Sequence, residues 1–375
     1  MGLLFGQYQY SVIVTGESLQ SLINAALSSS PQALLIFCCD ESLKNQTFVD
    51  PILTSLQVPV FGGVFPAIII KDEVIDEGLL VVPIFSDVKV MLLTNLENAD
   101  SSDFDMLSDS SHFESAMILI DGISRNIDFA LNSMFEHFGY KLNVFGGGAG
   151  SLSFERKPCL FSNQGLLMDA MVVIFMPTLF ELAIGHGWEV LDGPFLANEV
   201  DDNKIIQLNF QPAFEVYEDV IDKFENKSFT ANEFFEVAKT YPFGIERLDD
   251  DVLVRDPISV EENSLVCVGK VPENTLLYIL KGDNKKLVAA AVNAVEEATQ
   301  ATVKEQGLLF DCVSRHLFLE NEFKDELKGI TSAFNNSALL GVLVLGEIAS
   351  SASGAIHFHN KTAVTAVAKH PVKTI

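Results

Sequence analysis

Cysteine is scarce in this sequence, and its few copies follow no pattern. The five cysteines stand at positions 38, 39, 159, 267 and 312. Their number is odd, and no spacing matches a zinc site or a disulfide framework. We therefore expect reduced thiols, as in a cytoplasmic protein. Cys312 is expected to be a small buried side chain rather than a reactive thiol.

Positively charged residues are also few. The 375 residues include 24 Lys and Arg against 51 Asp and Glu, which gives a net charge of −27. Because such a chain repels nucleic-acid phosphates and anionic lipid head groups, we expect neither nucleic-acid nor membrane-surface binding. Solubility explains the acidity, and a docking surface for a basic partner is the alternative.

Long hydrophobic segments are missing as well. The longest apolar runs, such as Gly78 to Phe85, have the length of a strand and fall short of the roughly 18 residues that a membrane span needs. The first 17 residues have neither the basic start nor the apolar stretch of a signal peptide. The Met1-Gly2 start lacks the rest of a myristoylation signal. The prediction is a soluble, cytoplasmic protein.

Apolar residues are abundant, and part of the pattern that they form is repeated along the chain. Apolar residues make up 48% of the chain, and 29 residues are Phe, so large cores are expected. A buried strand pattern at 33–37, a helical pattern at 46–56 and the segment Phe61-Gly62-Gly63 recur 84 residues later. The second copy has a strand at 116–120, a helix over about 126–138 that ends at Gly139, and Phe145-Gly146-Gly147.

A hairpin is predicted after each copy. In the first copy the strand at 67–70 turns and returns through 78–85, and in the second the strand at 159–161 returns through 166–175. A weaker third copy has strands at 307–312 and 338–345 around a helix at 315–328. In that copy, residues 355–358 are expected to turn at 359–361 and return through 362–368.

The segment between the second and third copies has a different character. A helix is predicted to begin at Pro212, and a further helix over 284–304 packs the C-terminal part. We predict an α+β protein with two lobes of mixed or antiparallel sheets, flanked by helices and built from repeated strand–helix–strand–hairpin units. The first lobe spans residues 1–225, with repeats at 30–95 and 114–178, and the second spans 226–375.

The glycine run is the first candidate ligand-binding element. Backbone amides of Gly146, Gly147 and Gly148 could hold an anion. The run is followed by neither the Lys of a P-loop nor the helix of a dinucleotide-binding motif. The alternative is that these glycines allow two backbones to pack closely, as the matching Gly62 and Gly63 would.

Two histidines near the C-terminus are the next candidates. His357 and His359 alternate along a predicted strand, so both side chains point to one side of it. They could ligate a metal or provide one axial ligand to haem. The alternative is a strand end with partly exposed imidazoles. His186, between two glycines and next to the single Trp, Trp188, is expected to be structural.

Arg315 is a candidate for binding a carboxylate ligand. It follows Cys312 at a strand-to-helix turn, and its guanidinium could hold a carboxylate with two hydrogen bonds. It could equally pair with Glu347. Neither a nucleophile elbow nor an HExxH zinc motif occurs in the sequence, so nothing specific indicates an enzyme.

These landmarks resemble those of the FIST family of sensory proteins, over nearly the whole chain. The matching segments of the N-terminal FIST half are 58–67 (VPVFGGVFPA), 143–150 (NVFGGGAG), 185–188 (GHGW) and the junction 207–217 (QLNFQPAFEVY). Those of the C-terminal half are 241–244 (YPFG), 310–312 with Arg315, 341–348 (GVLVLGEI) and 359–362 (HNKT). At the junction, Asn209-Phe210-Gln211 replaces the acidic-Gly pair of the family motif.

The resemblance implies a ligand-sensing module of signal transduction whose output passes to a separate partner, such as a histidine kinase. The implied ligands are small metabolites such as amino acids or, in one branch, haem that senses nitric oxide. His359, which lies within HNKT, or His357 would then be the haem ligand. A small-molecule enzyme and a protein-binding scaffold are the alternatives.

Overall fold

A computed structural model of the chain describes residues 4–44, 46–107, 112–226, 229–246, 252–299, 306–334, 338–351 and 353–369. Within these residues the strands form three sheets of six strands and one sheet of seven. Each six-stranded sheet is built around one of the three predicted copies, which we call the first, second and third unit. The mixed and antiparallel sheets confirm the predicted α+β class. The Met1-Gly2 start lies outside the described residues.

The first unit contains the predicted strand–helix–strand. Its elements are β1 (Gln9–Ser11), α1 (Gly16–Leu27), β2 (Ala33–Cys39), α2 (Val49–Leu53), β3 (Val60–Phe65), β4 (Ala67–Ile70), β5 (Glu73–Ile75) and β6 (Leu79–Ile84). Helix α1 begins after Thr15, whose hydroxyl accepts a hydrogen bond from the Ser18 amide. Strands β2 and β3 are parallel, and β6 is antiparallel to β2. Every residue of β2 and β6 is buried, as expected for strands covered on both faces.

The second unit repeats this arrangement. Its elements are β7 (Lys89–Thr94), β8 (Ser115–Asp121), α3 (Ile127–Phe138), β9 (Asn143–Ala149), β10 (Leu160–Ser162), β11 (Gly165–Leu167) and β12 (Ala170–Met176). The predicted helix at 126–138 is confirmed, and it ends where the Gly139 amide donates to the Phe135 carbonyl. Gly139 has φ +57°, a conformation that favours glycine.

After β13 (Phe180–Gly185), the chain forms a separate part that we call the inserted lobe, residues 189–281. Its elements are β14 (Glu189–Asp201), β15 (Lys204–Leu208), β16 (Gln211–Pro212), α4 (Ala213–Glu225), α5 (Phe234–Ala238), β17 (Phe243–Glu246), β18 (Val252–Glu261), β19 (Ser264–Val268) and β20 (Thr275–Lys281). The seven strands are antiparallel, and an extra β14–β15 pairing closes six of them into a ring, with β16 attached to β15. The lobe has its own apolar core, against which the predicted helix α4 packs.

The third unit completes the chain. Its elements are α6 (Asn284–Thr299), β21 (Gly307–Cys312), α7 (Val313–Leu319), α8 (Phe323–Ala333), β22 (Leu339–Val344), β23 (Glu347–Ser350), β24 (Ile356–His359) and β25 (Ala363–Ala368). Strands β21 and β22 are parallel, and β25 is antiparallel to β21. The last residues of the helix predicted over 284–304, from 300 onward, lie outside the described residues.

The three units exchange their hairpins in a closed cycle. Hairpin β4–β5 joins the third sheet beside β22, β10–β11 joins the first beside β3, and β23–β24 joins the second beside β9. The predicted hairpins were therefore wrong in their second strands: the partners of β4, β10 and β24 are β5, β11 and β23. The longer apolar strands β6, β12 and β25 return to the middle of their own sheets, because only there are both faces covered.

The sheets divide the chain differently from the predicted lobes 1–225 and 226–375. Strands on both sides of residue 225 form the sheet of the inserted lobe, and β13 pairs with β25 across the same point. By its sheets, the molecule consists of a core of three units with exchanged hairpins and the inserted lobe.

Candidate ligand-binding site

A cleft lies between the second unit and the inserted lobe. One wall is formed by the turn after β8 and the first turns of α3, and the other by β17, β18 and β19, with β24 between them. The cleft has a volume of about 760 Å³, which lies within the ~300–1,000 Å³ usual for small-molecule sites. Its walls include the apolar side chains of Phe129, Phe154, Ile245, Leu253, Ile258 and Phe358.

Charged side chains of both signs also line the cleft. Arg125 and Asp128 belong to the wall of the second unit, whereas Asp202, Arg255 and Lys270 belong to the inserted lobe. The arrangement offers cations for an anionic group and carboxylates for an ammonium group. A ligand in this position would contact both parts of the molecule.

Arg255 is the buried member of this set, with 2% of its surface exposed. Its Nε donates to the Lys270 carbonyl at 2.8 Å, and its Nη1 donates to the Val254 and Phe358 carbonyls at 3.1 and 2.9 Å. Since Phe358 belongs to β24 of the core, Arg255 ties the inserted lobe to the core at the cleft itself.

The two candidate histidines lie at different depths. Their imidazole rings are 5.8 Å apart, which confirms that both side chains lie on one side of β24. His357 is half-buried and lines the cleft. His359 is only 4% exposed and is not part of the cleft wall. The histidine predicted as the second choice is therefore the one that a ligand in the cleft would meet.

Lys361, two residues beyond His359, is fully buried where the core meets the inserted lobe. Its ammonium lies 3.1 Å from Asp256 Oδ1, 2.7 Å from Ser314 Oγ and 3.1 Å from the Lys239 carbonyl. It also lies 5.4 Å from the centre of the Trp188 ring, whose Nε1 donates to the Lys361 carbonyl. One side chain thus connects α7 of the core to two segments of the inserted lobe.

Arg315 is completely buried and pairs with Glu326, a partner that was not predicted from the sequence. Its Nε and Nη2 donate to the carboxylate of Glu326 in α8, at 3.0 and 2.5 Å. Nη1 and Nη2 also donate to the carbonyls of His186 and Leu287. The suggested pair with Glu347 is not the one that forms, because the guanidinium is turned toward α6 and α8. These contacts favour a structural role for Arg315.

Glu347, in β23, is also fully buried. Its Oε2 accepts a hydrogen bond from the Thr362 amide at 3.1 Å. Burial raises the pKa of Glu347 well above its ordinary value, and burial likewise raises the pKa of the Cys312 thiol. A thiol with a raised pKa is a poor nucleophile, which agrees with the expected structural role of Cys312.

The glycine run forms the middle of strand β9. Gly146 and Gly147 pair with β8 on one side and β23 on the other, and the Gly148 amide donates to the Gly346 carbonyl at 2.8 Å. Gly146 has φ +148°, and a Cβ placed there would lie 1.8 Å from the Ile118 carbonyl oxygen. Gly62 in β3 stands in the same relation to Ile36. This geometry favours close packing of backbones over anion binding.

Asp311, at the end of β21, is a further buried acid. In the sequence it stands out only as part of the matching segment 310–312. It is fully buried and 4.0 Å from the guanidinium of Arg315. Burial raises its pKa well above the ordinary value, nearby Glu326 adds to the rise, and Arg315 opposes it. His186 is structural as expected, since its Nδ1 accepts a hydrogen bond from the Trp188 amide.

Within the described ranges, no group of three or more His, Cys, Asp and Glu side chains is placed to hold a metal ion. None of the helices in the same ranges is long and apolar enough to cross a membrane.

The cleft lies between the core and the inserted lobe, is open to solvent and is lined by side chains of both parts. Such a cleft is typical of a ligand-binding protein. Comparison with known families gives its class: the FIST N domain model matches residues 32–211, and the FIST C domain model matches residues 213–350. The chain belongs to the FIST family. FIST domains are generally taken to be sensors of small ligands in signal transduction.

The chain is also similar to an archaeal protein, MJ1623 of Methanocaldococcus jannaschii. The two are 24% identical over 215 residues, which is 50% of this chain and 40% of that protein. The chain therefore spans less than half the length of this curated relative. The similarity carries no information about a ligand.

Proposed function

We propose that the cleft binds a small metabolite, such as an amino acid, and that the protein is a sensor for that ligand. The observation that supports this is the composition of the cleft, which places cations, carboxylates and apolar side chains from two bodies around one space. An amino acid has a carboxylate, an ammonium group and a side chain, which match these three kinds of group in the cleft. The role is one of binding rather than catalysis.

The signal in this proposal is a change in how the inserted lobe sits on the core. A ligand that contacts both walls binds best when the walls are at one particular separation, so it shifts the population toward that arrangement. Arg255 and β24 connect the two parts next to the cleft. A separate signalling protein, such as a histidine kinase, would detect the altered arrangement.

A thermal-shift screen against the standard amino acids tests the binding step. A ligand that binds only the folded protein raises its melting temperature, and above Kd the rise grows with the logarithm of the ligand concentration. Asn132→Trp places a large ring at the cleft, where Asn132 is exposed on α3. Glu136→Trp, one turn further along the same helix and outside the cleft, is the matched control.

The expected result is a melting-temperature shift that Asn132→Trp abolishes and Glu136→Trp preserves. A shift that persists in Asn132→Trp would place the ligand elsewhere. The absence of any shift across the panel would favour haem or a protein-binding scaffold.

Haem is the second candidate, because His357 lines the cleft beside apolar side chains that could contact a porphyrin. His357 would provide the axial nitrogen, and Arg125 and Lys270 could pair with the propionates. When bound, haem supplies an iron that can take up nitric oxide. Titration with haemin should produce a stoichiometric Soret band that is lost in His357→Ala and retained in His359→Ala. No saturable band in the wild type would exclude this candidate.

A further inference from the structure

We propose that the ligand of the cleft is an organic anion, and that Arg125 and Lys270 recognise its carboxylate or phosphate group. This deepens the proposed function and depends on the cleft being the ligand site. The starting point is the charge balance: a chain of net charge −27 places three of its 24 cationic side chains around one cleft, together with two carboxylates.

The second observation is that the two exposed cations of the cleft, Arg125 and Lys270, have no anionic partner among the residues that the structure describes. Several exposed cations elsewhere are paired, such as Lys223 with Asp192 and Lys286 with Glu189. Neither Arg125 nor Lys270 forms an ion pair with any of the described residues, a property that they share with some other exposed lysines, such as Lys285 and Lys324. In so acidic a protein, two unpaired cations on opposite walls of one cleft leave a local positive charge that can attract an anion.

The third observation concerns Arg255, which holds a fixed position beneath the surface of the cleft. Its guanidinium is oriented by three backbone carbonyls, one of them that of Lys270. Arg255 therefore adds a positive charge whose position is set by the fold rather than by a flexible side chain. A preorganised charge loses little entropy when an anion binds.

Each wall of the cleft contributes a different cation to a bound anion. Arg125 belongs to the core and Lys270 to the inserted lobe, so an anion between them would be contacted by both bodies. The guanidinium of Arg125 can hold two oxygens of a carboxylate or phosphate at once, whereas the ammonium of Lys270 acts as a point charge. The apolar walls would take the carbon part of the ligand.

Calorimetric titration with matched probes tests the charge class. The carboxylate probes are L-glutamate and succinate, with L-glutamine and succinamide as analogues of similar size that lack one or both anionic groups. O-phospho-L-serine, compared with L-serine, is the phosphate probe. The variants are Arg125→Glu and Lys270→Glu, with Lys324→Glu as a control that reverses an exposed charge on α8, away from the cleft.

We expect at least one anionic probe to bind at least tenfold more tightly than its neutral analogue. Each cleft variant should weaken that binding about fivefold to tenfold, and Lys324→Glu should leave it unchanged. Raising the salt concentration should weaken the wild type more than Lys270→Glu. Which probe binds distinguishes the carboxylate from the phosphate source.

Three results would overturn the anionic class. They are equal binding of an anion and its neutral analogue, unchanged binding in both cleft variants, and failure of every anionic probe to bind. If a neutral compound binds and Asn132→Trp blocks it, the proposed function stands while the anionic class fails. The two proposals can thus fail separately.

Discussion

The ammonium nitrogen of Lys361 lies 3.1 Å from Oδ1 of Asp256, and this ion pair joins the core to the inserted lobe. Lys361 is in the link between β24 and β25, whereas Asp256 is in β18. Asp256 directly follows Arg255, a cleft residue, so the ion pair and one wall of the cleft share a strand. The pair therefore fixes the orientation of a wall of the cleft.

Removing Lys361 should destabilise the protein strongly. In Lys361→Met the carboxylate of Asp256 stays buried without its partner, and loss of one member of a buried pair costs about 3–5 kcal/mol. The free energy of unfolding from urea denaturation measures this cost. In the double variant Lys361→Met, Asp256→Asn the second substitution should recover part of the loss, because no unpaired charge remains. A single variant within about 0.5 kcal/mol of the wild type would contradict the importance of the pair.

Arg315→Lys should lower stability while leaving ligand affinity unchanged. The guanidinium reaches Glu326 and two carbonyls at once, which a single ammonium group cannot do. We expect a loss of about 2–4 kcal/mol, since Glu326 would stay buried with a poorer partner. Glu326→Gln is the complementary variant and should be destabilised in the same direction. Normal stability together with loss of amino-acid binding would instead restore the hypothesis that Arg315 holds the ligand.

Gly146→Ala should be among the most damaging single substitutions in the second unit. The new methyl group would lie 1.8 Å from the Ile118 carbonyl oxygen, so strands β8 and β9 would have to separate. We expect a loss of more than about 3 kcal/mol. Gly139→Ala is the control: it also has a positive φ, of +57°, but no heavy atom lies within 4 Å of the added carbon. That control should cost only about 1 kcal/mol, and equal costs would contradict the packing role.

The local pattern of the sequence predicts the three units well. Strand pairs and the helices α3 and α4 are recognisable because burial on both faces makes strands continuously apolar and burial on one face gives helices a period near 3.6. The exchange of hairpins is not predictable in this way. Strands such as β5 and β11 are only three residues long, so their own pattern does not indicate which sheet they join.

The candidate site was harder to predict, because it combines segments that lie far apart in the chain. The cleft is lined by 122–129 and Asn132, by Phe154, by 202–203, by Ile245 and residues between 253 and 272, and by 356–358, and no spacing rule connects them. The burial of Glu326 could have been predicted from the helical pattern, because Glu326 shares the apolar face of α8 with Phe323, Leu327 and Ile330. A carboxylate on the buried face of a helix needs a cationic partner, and the pairing of Glu326 with Arg315 favours a structural role for Arg315.

The stability difference between the wild type and Asp311→Asn should change with pH. Because burial raises the pKa of Asp311 in the folded protein, the folded state keeps its proton above the ordinary pKa of about 3.9 while the unfolded state loses it. The folded state then binds more protons, so this residue makes folding less favourable as the pH rises above about 4, until the folded pKa is reached. The loss is at most about 1.4 kcal/mol per pH unit.

Asn is uncharged at every pH, so Asp311→Asn should gain stability relative to the wild type as the pH rises above about 4, until the folded-state pKa of Asp311 is reached. Parallel urea denaturations at several pH values measure the difference. Asp219→Asn, at an exposed position on α4, controls for the removal of one acidic residue from a chain of net charge −27. A difference between wild type and Asp311→Asn that does not vary with pH would show that Asp311 has the same proton affinity in the folded and unfolded states.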